Sequence, residues 1–355
     1  MIPDFRSLYR ASEEHARLAF FGFTALLALG FLGTVFFSST LVVAAVVVII
    51  GIAFTFARPT WTLAAFAVYL PFEPFLLKWV PDDVYVFARY GSELIVYLLL
   101  AVVVWRMITG SITFKRTPLD VAFCVVIFLA LVSVAINALS PWVALLGLRQ
   151  SFRVVLVFFI VVYLSPSKEL LRKLLVAMFV IVTIQAALGY AQRLLGEPID
   201  TFLLPSAQRT LGSLQLTSGT TQFWDPGQRV FGTLGRYDQL GTFMAFFLIL
   251  LVAFLYERAL AKHEELPAWF ILLFSVPVVG LAYSRSAWFG FALAFFFIAL
   301  VVKRDKRVLA ATLIGASLVG GYLSISGLVV NQLIDSSSQT LSERFFEAFS
   351  YARWQ

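Results

Sequence analysis

The side chains in this sequence best suited to chemistry are arginines set in apolar surroundings. Between Leu266 and Val302, Arg285 is the one charged residue, in the run Tyr283-Ser284-Arg285-Ser286. A permanent cation at such a position is costly in hydrocarbon and marks a functional site by default. Arg229 and Arg236 stand in a second run, Arg229-Val-Phe-Gly232-Thr-Leu-Gly235-Arg236-Tyr-Asp238-Gln239-Leu-Gly241. Its glycines permit close backbone approach, and free N–H groups where a helix opens favour anions. Guanidinium groups in such a setting do one kind of chemistry well: they grip two oxygens of a phosphate at once. The competing reading is of interface arginines that snorkel toward lipid head groups. Arg149 and Arg153, four apart, share a helix face. Either they line a wet cavity, or residues 140–152 form an interfacial helix ahead of a short span. Arg89 and Glu93 read as an interface pair, with Glu93 suited to a helix N-terminus.

These residues must be positioned by membrane helices. The chain is 61% hydrophobic and 13% charged, with a mean hydropathy of +0.91, where a soluble domain carries roughly 25% charged residues. Its apolar runs do not alternate, which excludes a barrel and leaves a bundle of helices whose backbone groups are satisfied internally. A straight rod from Leu266 to Val302 would reach roughly 55 Å, against a hydrocarbon core of about 30 Å. That stretch is therefore expected to fold as two helices with Arg285 at the tip of a tight turn. The same reasoning predicts an all-α polytopic bundle of eleven spans: 18–37, 40–57, 61–79, 92–109, 119–139, 143–164, 174–194, 238–256, 268–284, 286–302 and 308–330. Pro71 and Pro74 are expected to kink the third near its outer end.

The Lys/Arg bias orients the bundle with its N-terminus in the cytoplasm. Sixteen of the 27 basic residues then fall inside, and the formal charge of +7 sits on that face. The eleven outer basic residues are Arg except for Lys78, whereas six of the inner ones are Lys. That contrast suits phosphate capture outside, although GC-rich coding would produce it too. Residues 1–17 read as a cytoplasmic segment without a cleavable signal, since the apolar run after Arg17 exceeds a signal core of about 7 to 15 residues. Residues 18–330 form the transmembrane domain with an outer loop at 195–237, and 331–355 begin a second outer segment. Cys124 is the single cysteine, so no intrachain disulfide can form. The two histidines, His15 and His263, fall in cytoplasmic segments, and no metal-ligand spacing occurs. P-loop, nucleophile-elbow and catalytic-cysteine motifs are absent. Dispersed juxtamembrane charge argues against a nucleic-acid partner.

Three segments taken together resemble the O-antigen ligase and O-antigen polymerase superfamily of bacterial membrane proteins. They are Arg229 to Gly241, Leu281-Ala-Tyr-Ser284-Arg285-Ser286-Ala-Trp-Phe-Gly290, and Ser342-Glu-Arg344-Phe-Phe-Glu-Ala-Phe. The resemblance covers about residues 90 to 355 and implies a helical architecture like that of other lipid-linked (GT-C) glycosyltransferases. It further implies metal-independent and cofactor-independent transfer of a glycan from a polyprenyl diphosphate carrier to a lipid or glycan acceptor, outside the cytoplasmic membrane, in lipopolysaccharide or polysaccharide biosynthesis. By the same resemblance Arg229 and Arg285 bind the diphosphate, with Arg236 and Arg344 as further candidates. The family's outer loop carries a histidine thought to deprotonate the acceptor. Here that loop would have to develop where the chain ends, at Ala352-Arg353-Trp354-Gln355, and no outer histidine is present. The expectation is an incomplete chain that binds carrier but turns over little. A polymerase of the same superfamily, and a secondary transporter or flippase for an anionic solute, are the alternatives. The transporter would favour internal repeats with ionisable groups near the midplane, and no repeat is evident.

Overall fold

The computed structural model of the chain describes residues 39–137, 140–205, 210–211, 214–215 and 227–326. Helices dominate these residues: α1 (Ser39–Ala57), α2 (Pro59–Tyr69), α3 (Glu73–Leu77), α4 (Asp82–Arg89), α5 (Gly91–Ile108), α6 (Asp120–Ile136), α7 (Pro141–Leu164), α8 (Lys168–Leu195), α9 (Glu197–Leu203), α10 (Tyr237–Glu257), α11 (Lys262–Leu281), α12 (Arg285–Phe296) and α13 (Lys306–Ser326). The strands among the described residues are two, of two residues each, Thr210–Leu211 and Leu214–Gln215. Eight helical segments are long and apolar enough to cross a membrane, so the protein is an all-helical membrane protein.

Described helices overlap ten of the eleven predicted stretches, the last of them, 308–330, only as far as Ser326; the remaining one, 18–37, lies outside the described residues. Within the predicted span 119–139, α6 covers Asp120–Ile136, 17 residues, while residues 138 and 139 lie outside the described ones. The span at 61–79 runs as one apolar segment, Pro59–Leu77, in which Leu70–Phe72 tightens to a 3-10 turn between α2 and α3. Pro71 and Pro74 are the cause, since neither has an N–H for the α-helical ladder. The turn that bears Arg285 is also displaced: α11 ends at Leu281, Ala282–Ser284 make the turn, and Arg285 is the first residue of α12.

The chain clusters into two compact units. In the first, residues 1–66, 80–167 and 211–213, α5 packs against α7 through buried Val96, Leu99, Val102, Val103 and Ile160. Helix α4 is favoured locally by Asp82 and Asp83 in its first turn and Arg89 in its last, which complement the helix dipole. Ser165 ends α7 in the left-handed conformation, and its hydroxyl receives the Lys115 ammonium at 2.9 Å.

In the second unit, residues 67–79, 168–210 and 214–355, α8, α10, α11 and α12 enclose a core of Val182, Ala186, Leu240, Met244, Leu248, Val278, Val279, Ala282 and Ala287. Lipid tails are as apolar as leucine, so close packing of small residues, rather than escape from water, holds such helices together. Gly189 shows the effect: a Cβ there would stand 2.7 Å from Val278 Cγ1. At the end of this unit remote from Arg285, Arg172 pairs with Glu264 at 2.5 Å and Lys303 with Glu257 at 2.7 Å. The Tyr256 hydroxyl donates to Asp305 at 3.3 Å. Every one of these pairs joins residues that the charge pattern puts on the same side of the membrane.

Candidate functional site

At the opposite end of the second unit, residues 227–236 lead into α10 beside the α11–α12 turn. Arg229 is half-buried there, its guanidinium 4.8 Å from the centroid of the Tyr237 ring. Burial lowers the proton affinity of Arg229, the Tyr237 hydroxyl raises it through charge and a hydrogen bond, and the positive charge of Arg285 lowers it further. The Val230 N–H donates to the Leu281 carbonyl at 3.3 Å, which sets the Arg229 segment beside the turn that leads to Arg285.

Helix α12 opens at this turn. Its N-cap, Ser284, makes no side-chain cap bond; its hydroxyl faces that of Ser286 at 3.2 Å. An arginine at a helix N-terminus opposes the macrodipole, whose positive end favours anions. The turn is held by Trp288, whose indole N–H donates to the Val279 carbonyl at 2.7 Å, and by Tyr283 in the left-handed region at φ 52°. Gly241 lets α10 lie against this turn, for a Cβ there would come within 2.9 Å of Ala287 Cβ and 3.0 Å of Ser284 Cβ. Tyr237 is one helical turn before Gly241, so this contact sets the ring that faces Arg229.

A buried polar network holds the segment that carries Arg229. Gln192 Oε1 accepts the N–H groups of Phe231 at 3.0 Å and Gly232 at 2.8 Å. Its Nε2 donates to Asp200 Oδ1 at 2.7 Å, and Asp200 Oδ2 accepts the Gly227 N–H at 2.7 Å. The Gly227 carbonyl receives Arg193 at 2.8 Å. About two turns earlier on α8, Gln185 accepts the Thr233 N–H at 3.0 Å and donates to the Thr233 hydroxyl at 2.6 Å. That hydroxyl donates in turn to the Pro71 carbonyl at 2.7 Å, beside the break in the α2–α3 ladder. Gly232 is required at its place: its φ is 55°, and a Cβ there would collide with Gln185 Oε1. Burial raises the pKa of the Asp200 carboxyl, against the lowering pull of its bonds from Gly227 and Gln192.

The other predicted residues fall elsewhere. Arg236 is exposed and folds back on Asp238, with Nε–Oδ1 at 3.0 Å and Nη2–Oδ2 at 2.9 Å. That bidentate bond, then the carboxylate's charge, raises the Arg236 proton affinity and takes up the fork that a phosphate would need. Arg344 lies outside the described residues. Arg149 and Arg153 belong to the first unit, on one unbroken helix, where both face Glu93 at 3.4 Å and 3.8 Å. The Arg149 guanidinium also lies 5.4 Å from the Tyr90 ring centroid. Glu93, read from the sequence beside Arg89, thus neutralises charge from a helix distant in the chain. Among the described residues no three His, Cys, Asp or Glu side chains converge as a metal site requires.

Sequence reasoning missed Gln185, Gln192, Asp200 and Thr233. A signal was present: Gln185 and Gln192 are seven apart in the uncharged stretch of α8, hence on one face, and polar groups facing a membrane interior demand partners.

A scan of the chain against known protein families finds no match, and neither curated proteins nor solved structures yield one.

Proposed function

We propose that this protein moves a glycan from a polyprenyl diphosphate carrier to an acceptor on the outer side of the bacterial cytoplasmic membrane, in the manner of the O-antigen ligases. Arg229 and Arg285 hold the diphosphate. The observation that supports the reading is that the segment carrying Arg229 is bonded to the end of α11, Val230 N–H to the Leu281 carbonyl at 3.3 Å, beside the turn from which Arg285 opens α12, a placement of two guanidinium-bearing residues suited to an anion with several oxygens. As the bond between sugar and diphosphate breaks, charge builds on the leaving diphosphate, and fixed guanidinium groups in a water-poor setting stabilise it most at that moment. An open apolar groove of about 650 Å³, lined by Ala187, Tyr190, Ala191, Leu194, Leu195 and Phe274 at the same end of α8, suits an isoprenoid tail.

Arg236 and Arg344 take a lesser part in this reading, Arg236 because Asp238 holds it. The acceptor hydroxyl needs a base within hydrogen-bond reach. His263 opens the far end of α11, roughly 27 Å of helix from the turn, and is not that base. The finer architecture we infer is eleven spans in a GT-C-like arrangement, N-terminus in the cytoplasm. Pairing of Arg172 with Glu264 and of Lys303 with Glu257 supports only the part of it that sets these helix ends on one common side. The same donor site would serve a polymerase that extends glycan on its carrier.

Arg229→Lys and Arg285→Lys test the reading in the bacterium that encodes the protein. Lysine keeps the charge but not the fork, and removing one such donor costs about 100-fold or more in transfer. The expected result is loss of glycan attachment at unchanged protein level. Normal surface glycan in both variants overturns it. Extended glycan still on its carrier would accumulate if the reaction is ligation, and single carrier-linked repeat units if it is polymerisation.

A further inference from the structure

We infer that Gln192 and Asp200 are positioning residues for Arg229: a directional pair of buried side chains that fixes the backbone on both sides of this arginine so that its guanidinium meets the anion. The inference rests on the reading of Arg229 and Arg285 as an anion site.

The bonds are distributed in a telling way. Asp200 ties Gly227 through its N–H, two residues before Arg229, and Gln192 ties Phe231 and Gly232, two and three residues after it. Val230 is fixed between them by its N–H to the Leu281 carbonyl at 3.3 Å, the residue at which α11 ends before the Arg285 turn. The loop carrying one arginine is thus registered on the same α8 face and against the helix that leads to the other. Arg229 lies between these anchored positions.

Stability alone does not call for such a device. Hydrogen bonds between helices in a membrane contribute only about 0.6 kcal/mol on average, and Gln192 and Gln185 are both fully buried with their amide oxygens spent on this one segment. Polar pairs of this kind fix a register better than they stabilise a fold. The pair also has a polarity. Gln192 accepts from the loop through Oε1 and donates to Asp200 through Nε2, and the carboxylate accepts from Gly227 with its other oxygen. Every donor meets an acceptor only while one partner is an amide and the other a carboxylate.

That polarity allows a test by exchange. Gln192→Glu alone sets two carboxylates face to face. Asp200→Asn alone sets two amide N–H₂ groups against each other, or turns one of them onto the Gly227 N–H. In the double variant Q192E/D200N the order is restored in reverse. The carboxylate now at position 192 would accept from the loop and from the new amide at position 200. The oxygen of that amide would accept from Gly227, and the net charge is that of the original pair.

Inorganic pyrophosphate titrated into the full chain in phosphatidylcholine nanodiscs, followed calorimetrically, gives the affinities. A buried donor or acceptor left unsatisfied costs enough to weaken binding about tenfold or more. Each single variant is expected to lose that much with its helix content intact by circular dichroism, and the double variant to return to within about twofold of the original protein. R285Q supplies the control, with binding abolished. Single variants that bind as the original does, or a double variant no better than either single, overturn the positioning inference while leaving the anion site standing. If the original protein binds no pyrophosphate, or R285Q binds it equally well, the anion site fails and the positioning inference with it.

Discussion

Asp200 illustrates how a single buried group here serves geometry at some energetic cost. Its carboxyl is nearly enclosed at 7% exposure and accepts two hydrogen bonds, yet burial outweighs them and raises its pKa. The folded protein therefore holds the Asp200 proton more tightly than the unfolded chain does. By linkage, its contribution to stability is greatest below the ordinary aspartate range and is lost as the pH rises through the elevated folded value. We predict that the thermal midpoint of the original protein, relative to that of Asp200→Asn, falls as the pH is raised through that window. A difference that stays flat across it, or one that rises, refutes the assignment. The neighbouring glutamines gain no charge at any pH, so the slope belongs to Asp200 alone among the three.

Elements approach one another in the second unit wherever a glycine removes a side chain. The contact of α10 with the α11–α12 turn rests on Gly241, since even a methyl group there meets Ala287 Cβ and Ser284 Cβ, both short and immovable without backbone shifts. Overpacking of this kind costs about 1 to 3 kcal/mol. Gly241→Val is expected to lower the thermal midpoint in nanodiscs. It should also weaken pyrophosphate binding, because Tyr237 moves with α10 while Arg285 stays with the turn. An unchanged midpoint would show that α10 and the turn are not in contact as described. The break between α2 and α3 follows the same logic from the opposite cause: proline removes a ladder bond, and the Thr233 hydroxyl donates to a carbonyl at the break.

At the scale of the molecule, the described residues are dominated by apolar helices long enough to cross a membrane, and the Lys/Arg bias predicts their orientation. Cys124 is the one cysteine and can be removed by Cys124→Ala, so single cysteines introduced at Ser286 and Ser111 report sidedness. A membrane-impermeant maleimide added to intact spheroplasts is expected to label Ser286→Cys and to spare Ser111→Cys until the cells are lysed. The opposite pattern inverts the topology and moves the arginine pair to the cytoplasm.

Hydropathy is a property of each segment by itself, and so the helical bundle and the positions of its apolar spans were legible from the sequence. So was the oddity of Arg285, because a cation in an apolar run is anomalous whatever surrounds it. Partnership was not legible, since it depends on which helices meet. Glu93 lies against Arg149 and Arg153 from more than fifty residues away, Arg236 turns to Asp238, and Arg285 begins a helix rather than tipping a turn. The two glutamines of α8 looked inert in the chain and proved to hold the loop of Arg229. Only the tertiary structure could decide this, because buried polar groups must find partners, and proximity in space, not in sequence, determines which partner each one finds.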